Sequence, residues 1–274
     1  MVGFSSDPQG DDLTPPAQLA ARLLQGAGRA VVHAYAEPAA PALSVLAHDR
    51  TPDGRILVAL HLPADLTTIL GSQWHALAVR LHVEKLAELP SVRIQTADVH
   101  ALGTLRTLDP AAELAELNWE FDLALGSDQV VLAELTVERL LLHGPSGVSR
   151  LDPATLPTQR IFPSAWESLD AIDAVMVAGE GVLTKLAEGV TLGIVAGEIL
   201  NEAPAGPHSA LHAGHTYPVD VTADSVTVLH VGEHTLRTIA IEFPEPVSSA
   251  AEVALAVDFL RTHEVTPYAW APEA

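Results

Sequence analysis

Three histidines in the last third of the sequence have a spacing that could bind a metal. His208, His212 and His215 are separated by four and then three residues, so an α-helix would place their imidazoles on one face. Imidazole nitrogens bind both zinc and haem iron. Pro207 and Gly214, before and within this stretch, disfavour a helix. A solvated loop is therefore the preferred interpretation, and a metal-binding cluster is the alternative.

A fourth histidine, His263, follows the last predicted helix and precedes a tail that contains Tyr268 and Trp270. An imidazole with neighbouring aromatic rings could cover a flat apolar ligand, and imidazole is an ordinary axial ligand of haem iron. From the residues alone, the preferred interpretation is a solvent-facing histidine that the helix dipole favours at this end, and a haem ligand is the alternative. His61 and His82 lie in or at the end of predicted strands, and we expect them to be structural.

Composition and missing motifs exclude several classes of protein. The net charge of −21, from 14 Lys+Arg and 35 Asp+Glu, disfavours nucleic-acid and anionic membrane partners. The absence of cysteine excludes disulfides, thiolate catalysis and iron–sulfur clusters. There is no P-loop, G-x-G-x-x-G, H-E-x-x-H or G-x-S-x-G motif. Residues 1–14 lack the features of a signal peptide and no segment has the length of a membrane span, so we expect a cytoplasmic protein.

The first half of the chain is rich in short strand-like runs. Periodicity and turn signals predict a helix after Thr14, closed at Gly26 or Gly28, and a short helix over Ala64–Leu70. A further helix is predicted from Asp109 to Trp119. The predicted strands are Arg29–Ala36, Ala42–His48, Ile56–His61, Ala76–Val83, Ser91–Val99, Leu102–Leu108 and Val130–His143, the last being one bent strand or two. Many strands with few helices favour a closed or half-closed barrel.

The second half is predicted to be a smaller α/β unit. It begins with a helix from Ser164 to about Glu188, followed by Val190–Leu200, which fits either a helix or a buried strand. Three strands and a capped terminal helix complete it: Val219–Val221, Ser225–Val231, Thr235–Phe243 and Ser248–Arg261. The predicted organisation is a flexible N-terminus (1–14), a barrel domain (15–150), a linker (151–163) and a C-terminal α/β domain (164–274).

The order of these elements resembles a known family. Asp53–Val58 and Leu135–Leu140 in the first half, and Tyr217–Thr227 and Ile241–Val247 in the second, are similar to segments of the pyridoxamine-phosphate-oxidase-like superfamily. Within it, the chain resembles the HugZ-type haem-utilisation branch. The resemblance implies an α+β fold, in which an FMN-binding-type split β-barrel is followed by a smaller C-terminal α/β domain.

The same resemblance implies a function in haem and iron homeostasis. It implies a homodimer with the barrels packed together, and haem or another tetrapyrrole held near the dimer interface by a histidine late in the chain. His263 is the residue of this sequence nearest to that place. Some relatives degrade haem oxidatively, whereas plant relatives are regulators that bind an enzyme of tetrapyrrole synthesis.

Two departures from the family pattern keep other functions open. Ala64–Leu70 has no basic side chain with which to hold a flavin phosphate, which disfavours FMN. Glu167–Asp173 lacks the histidine and asparagine that usually open the appended domain. Three functions are therefore ranked in order: a haem-binding protein with or without oxygenase activity, a non-catalytic regulator or scaffold that binds a partner protein, and a flavin-dependent oxidoreductase.

Overall fold

The computed structural model describes residues 14–35, 42–62, 76–89, 94–113, 119–127, 129–206 and 209–265. Several predicted features lie outside these ranges: the N-terminus before Thr14, the helix over 64–70, His208, and the tail with Tyr268 and Trp270.

Strands of the first half form one antiparallel sheet that closes on itself. Its members are β1 (Arg29–Ala34), β2 (Leu43–Arg50), β3 (Ile56–His61), β4 (Leu77–Leu86), β5 (Gln95–Thr107), β6 (Val130–Gly144) and β7 (Gly147–Leu151). The strand order is β3-β2-β1-β4-β5-β6-β7, and β3 also pairs with β6. Pairing of β3 with β6 closes the first six strands into a barrel, and β7 extends the sheet from β6. The predicted split β-barrel is confirmed.

Side-chain alternation along the strands separates the barrel core from its outer face. On β4, Val79, Leu81 and Val83 are fully buried, whereas the residues between them point outwards. Helix α1 (Pro15–Leu24) adds apolar side chains to this core, and Gly26 follows its end as predicted. Helices α2 (Pro110–Glu113) and α3 (Trp119–Leu125) precede β6, and Phe121 of α3 packs in a smaller cluster outside the barrel.

One prediction for the barrel was wrong at β5. The sequence predicts two strands here, one that ends at Val99 and a second that begins at Leu102. The structure has a single strand, Gln95–Thr107. The pairing with β6 shifts by one residue between Leu102 and Gly103, as in a β-bulge. A Cβ atom on Gly103 would lie 1.9 Å from the carbonyl oxygen of Thr136, so only glycine permits this close approach.

The second half forms a sheet covered by helices on one face. Its strands are β8 (Gly197–Pro204), β9 (Thr216–Val221), β10 (Ser225–Val231) and β11 (Thr235–Glu242), in the antiparallel order β8-β11-β10-β9. The helices are α4 (Glu167–Met176), α5 (Glu180–Thr191) and α6 (Ala250–Leu260). Apolar side chains of all three helices pack in one core with those of β9, β10 and β11.

Two helix predictions in this lobe need correction. The single helix expected from Ser164 to Glu188 is two helices, because Gly179 adopts φ +85°, a left-handed conformation that ends α4. The segment Val190–Leu200, which fitted either a helix or a strand, contains the end of α5 and the start of β8. The three-strand meander and the terminal helix are confirmed, and the Ser249 hydroxyl accepts the backbone N–H of Glu252 to cap α6.

A buried ion cluster joins the two lobes. The guanidinium of Arg22, on α1, donates to both carboxylate oxygens of Asp220 on β9, at 3.0 and 3.2 Å. The ammonium of Lys85, on β4, lies 3.5 Å from the same carboxylate. Arg22 and Lys85 are each only 2% exposed. Burial alone would raise the pKa of Asp220, but Arg22 and Lys85 outweigh that effect and lower this pKa.

The segment predicted as a linker is held to the barrel by arginines. Arg50, on β2, donates to the carbonyl oxygen of Leu156 at 2.9 Å. Arg160 donates to the carboxylate of Asp49 at 2.9 Å and to the carbonyl oxygen of Gln25 at 3.1 Å. Within the described residues, no helix is long and apolar enough to cross a membrane.

Neutralising Asp220 should strongly destabilise the fold. In Asp220→Asn, Arg22 stays buried without its anion and Lys85 keeps only Glu88, 3.0 Å away, and breaking such a buried pair from one side costs about 3–5 kcal/mol of unfolding free energy. Urea unfolding measures the loss. The matched control is Asp258→Asn, which removes an exposed pair with Arg261 and should cost at most about 1 kcal/mol. Equal effects of the two substitutions would contradict this assignment.

Stability should also fall on mild acidification because of His48. This imidazole is buried, with Nε2 2.8 Å from the carbonyl oxygen of Leu23, and burial lowers its pKa. The unfolded chain therefore binds a proton more readily than the native one below pH ~6.5. Unfolding free energy should drop as pH falls through that value, with a slope of at most about 1.4 kcal/mol per pH unit from this residue.

The test compares His48→Gln with wild type in urea unfolding between pH 7.5 and 5.5. We expect a shallower pH dependence in the variant. His234→Gln, in an exposed turn, should follow the wild-type curve. Parallel curves for His48→Gln and wild type would show that His48 does not carry the effect.

Candidate functional site

The hairpin of β4 and β5 brings two histidines side by side on the outer face of the barrel. His82 on β4 is the direct cross-strand partner of His100 on β5. Asp98 lies two residues before His100, so strand alternation puts it on the same face. On the next strand, β6, His143 is the direct cross-strand partner of Asp98 and therefore lies on the same face. Four chemically active side chains thus meet in one patch.

The side chains of this patch are in close contact. The imidazole rings of His82 and His100 are stacked, with centroids 4.5 Å apart and planes 14° from parallel. His100 Nε2 lies 3.0 Å from Asp98 Oδ1. The ring of His143 meets that of His100 edge-on at 5.2 Å. One potential ligand atom from each of His82, Asp98 and His100 lies within 4.8 Å of the other two.

The electrostatics of the patch favour a neutral imidazole at His100. Burial lowers the pKa of His100 most, and the nearby His82, Arg80 and His143 lower it further, whereas only Asp98 raises it. The side chain of His100 is 22% exposed and that of Asp98 is 13% exposed. A half-buried neutral imidazole beside a carboxylate can accept a hydrogen bond, donate one or bind a metal ion.

Sequence reasoning missed this patch. His82 was expected to be structural, yet its Nε2 is buried without a hydrogen-bond partner among the described residues. His100 fell in the gap between the two strands predicted where β5 is continuous. One signal was available: Asp98 and His100 are two residues apart, the spacing that places side chains on one face of a strand. Which residues of β4 and β6 join the patch depends on strand register, which the sequence does not show.

His263 lies where the sequence predicts, at the end of the terminal helix. It belongs to a π-helical turn, Arg261–Val265, that directly follows α6. Its ring stacks on Phe259 with centroids 4.1 Å apart, and its Nδ1 is 3.0 Å from the carbonyl oxygen of Phe259. A carbonyl oxygen can only accept, so Nδ1 carries the proton and the neutral ring keeps its lone pair on Nε2.

An apolar stripe leads along α6 to this imidazole. Leu255 and Phe259 are 70% and 44% exposed, and their spacing of four residues, continued to His263, places the three side chains along one helix face. In the same turn, the Nε–H of Arg261 donates to the carboxylate of Asp258 at 3.1 Å. The stripe therefore combines an apolar surface with one oriented imidazole.

The other predicted histidine cluster has a different geometry from a helix face. A 3-10 turn, Ser209–His212, ends before His215. His212 Nδ1 is 2.9 Å from the Tyr217 hydroxyl, and His215 Nδ1 is 2.6 Å from a carboxylate oxygen of Glu180. The rings of His212 and His215 are 6.4 Å apart. Because His208 lies outside the described residues, a site formed by all three histidines stays a prediction.

A cleft between the lobes offers space but no histidine. Its volume is about 320 Å³, and its walls include Leu19 of α1, Ala97 of β5, and Asp220, Thr227 and Leu229 of the C-terminal sheet. No histidine belongs to this lining within the described ranges. The cleft is therefore separate from both histidine sites.

The comparisons with known proteins support the fold. No family model and no curated protein matches the chain. Among solved structures, it is similar to the heme binding protein from Mycobacterium smegmatis, with a TM-score of 0.51 and 13% identity over 92% of this chain and 99% of that chain. Together with the closed barrel, this likeness defines an α+β split-barrel fold with an appended C-terminal lobe.

Two other solved structures are more distant. A protein of unknown function from Agrobacterium tumefaciens has a TM-score of 0.37 and 15% identity over 92% of this chain and all of that chain. A protein of the pyridoxinephosphate oxidase family from Clostridium acetobutylicum, related to general stress protein 26, has a TM-score of 0.30 and 15% identity, over 45% of this chain and 84% of that chain.

Proposed function

We propose that the chain is a haem-binding protein of haem and iron homeostasis, of the HugZ type, with His263 as the axial ligand of the iron. The observation that carries the proposal is the geometry of His263. Its Nδ1 is anchored to the Phe259 carbonyl, which orients the ring and leaves Nε2 as the metal-binding atom, the arrangement typical of histidine ligands.

The surroundings of His263 also fit haem. The exposed side chains of Leu255 and Phe259 give a flat macrocycle an apolar surface to cover. π-helical turns such as Arg261–Val265 are rare and often occur at functional sites. The fold of the Mycobacterium smegmatis heme binding protein adds support at the level of the fold.

A second candidate function is binding of a partner protein without catalysis. The helical layer of the C-terminal lobe exposes Leu169, Val177 and Leu192 by 50%, 85% and 71%, and these apolar side chains are available for contact with a protein. The visible spectrum separates the candidates, because haem and flavin each colour the protein and a scaffold leaves it colourless.

The haem proposal predicts a Soret shift that depends on His263. Titration of the full-length apoprotein with haemin should shift the Soret band and saturate with one haemin per chain. His263→Ala should lose this shift, because the ring that orients the iron is gone. His234→Ala is the control, since it removes an imidazole from an exposed turn, and it should behave as wild type.

Two results would contradict the haem proposal in different ways. A shift that persists unchanged in His263→Ala would reject His263 as the ligand and retain haem binding. A wild-type protein that does not respond to haemin would reject haem altogether. Absorption by a bound flavin in the protein as purified would favour the third-ranked function instead.

We further propose that the chain forms a homodimer through the outer face of its barrel. In support, Val148 of β7 is 65% exposed and pairs with His143. Leu102 and Leu141 on the same face are only partly buried. An exposed sheet face with central apolar side chains favours contact with a second copy.

Sedimentation velocity tests the dimer. The mass that sedimentation gives for wild type should be twice the chain mass of 28.9 kDa. Val148→Asp should move the population towards the monomer, because it buries an unpaired charge in the contact. Val177→Asp, at an exposed valine of the other lobe, should leave the dimer intact. A wild-type monomer at micromolar concentration would contradict the proposal.

A further inference from the structure

Unpaired polar atoms are concentrated on the outer face of the barrel. The described part of the chain has five buried side-chain nitrogen or oxygen atoms without a hydrogen-bond partner. Three of them are His82 Nε2, Asp98 Oδ1 and His100 Nδ1, and a fourth belongs to the neighbouring Arg80. A buried polar atom left unpaired is costly, so His82 Nε2 and Asp98 Oδ1, unpaired on adjacent strands, call for a ligand that pairs with both.

We infer that His82, Asp98 and His100 form a binding site for a divalent transition-metal ion on the outer face of the barrel. Two imidazoles and one carboxylate are a ligand set that suits first-row metals such as Zn²⁺, Co²⁺, Ni²⁺ and Fe²⁺. The site lies on the face proposed above as the dimer contact, because Leu141 is paired with His100, so water enclosed in that contact would fill the remaining coordination positions. The site is separate from the haem-binding function proposed above, because His263 belongs to the other lobe.

The geometry already approaches that of a coordination sphere. Two ligands bonded to one ion at about 2.0–2.1 Å lie roughly 3 Å apart, and His100 Nε2 and Asp98 Oδ1 are 3.0 Å apart. Asp98 Oδ1 makes no hydrogen bond within the described residues, so this short contact lacks the alignment of a hydrogen bond. The ligand atoms of all three side chains lie within 4.8 Å of one another.

The strands around the site explain why a cation would be held there. Glu84 and Asp98 are direct cross-strand partners, and two like charges in that relation repel. A bound cation between them would relieve this repulsion. His143 on β6, whose ring is 5.2 Å from that of His100, is within reach as an additional ligand. Arg80, on the same face of β4, opposes a cation, which favours a strongly coordinated transition metal over a loosely held Ca²⁺ or Mg²⁺.

The backbone holds the ligands in a fixed register. His82 and His100 are paired in a long antiparallel hairpin, and Asp98 is fixed to His100 by strand alternation. The bulge at Gly103 lies three residues beyond His100, where only a residue without a Cβ fits against Thr136. Sites built on paired strands are preorganised, so little free energy is lost in ordering the ligands.

Titration with Co²⁺ tests the site directly. Untagged, full-length protein is stripped with a chelator and titrated with Co²⁺, and the visible d–d bands report coordination. We expect saturable binding of a single ion per chain. His82→Asn, His100→Asn and Asp98→Asn should each weaken binding by at least about tenfold, because the loss of even an outer-shell partner costs 10–100-fold. Far-UV circular dichroism checks that each variant is folded.

The controls distinguish this site from other histidines. His263→Ala should bind Co²⁺ as wild type does, so failure of the haem proposal and failure of the metal proposal give different patterns. The double variant His212→Asn/His215→Asn should also retain binding. The proposal is overturned if wild type shows no saturable d–d band, or if the three ligand variants bind normally. Should the histidine variants fail to fold, the nearly isosteric Asp98→Asn and the wild-type titration decide.

Discussion

The relation between the two lobes depends on one carboxylate. Asp220 lies on β9 of the C-terminal sheet, and its two cations come from α1 and β4 of the barrel. A buried bidentate pair fixes distance and direction better than apolar contact can, because its hydrogen bonds tolerate little rotation. Arg22 also donates to the carbonyl oxygen of Val221 at 3.0 Å, which ties the guanidinium to the strand itself. In a chain with few basic residues, two of them are committed to this joint.

The joint sets the positions of the two histidine sites. Lys85 follows His82 by three residues on β4, so the strand that presents the barrel patch is the one that anchors the lobe. The C-terminal sheet is held to the barrel at Asp220. Helix α6 packs against this sheet with Val253 and Val257, and His263 follows the end of α6. The barrel patch is rigid because its residues lie on paired strands. The imidazole of His263 lies on an exposed helix end, where a ligand can approach from solvent.

The two sites have different chemical characters. His263 offers a single oriented nitrogen at the end of an apolar stripe, which suits a flat ligand that brings its own metal and coordination plane. The barrel patch offers two nitrogens and a carboxylate at close range, which suits a bare ion. A protein with a strongly negative charge attracts cations generally, but among the residues that the structure describes only the barrel patch combines unpaired buried atoms with ligand spacing. The fold alone distinguishes neither role, because split barrels serve as scaffolds on which such sites are built.

The sequence by itself determined the parts of the structure that depend on local patterns. The strand Ile56–His61, the end of α1 at Gly26 and the three-strand meander of the C-terminal lobe follow from alternation and turn residues, as does the position of His263 after the last helix. Tertiary structure alone decided the patch of His82, Asp98 and His100 and the joint at Asp220. The patch requires the register of β4 against β5, and Arg22 and Asp220 are separated by 198 positions in the chain. Such pairings depend on how distant parts of the chain pack together, which a local pattern of residues does not determine.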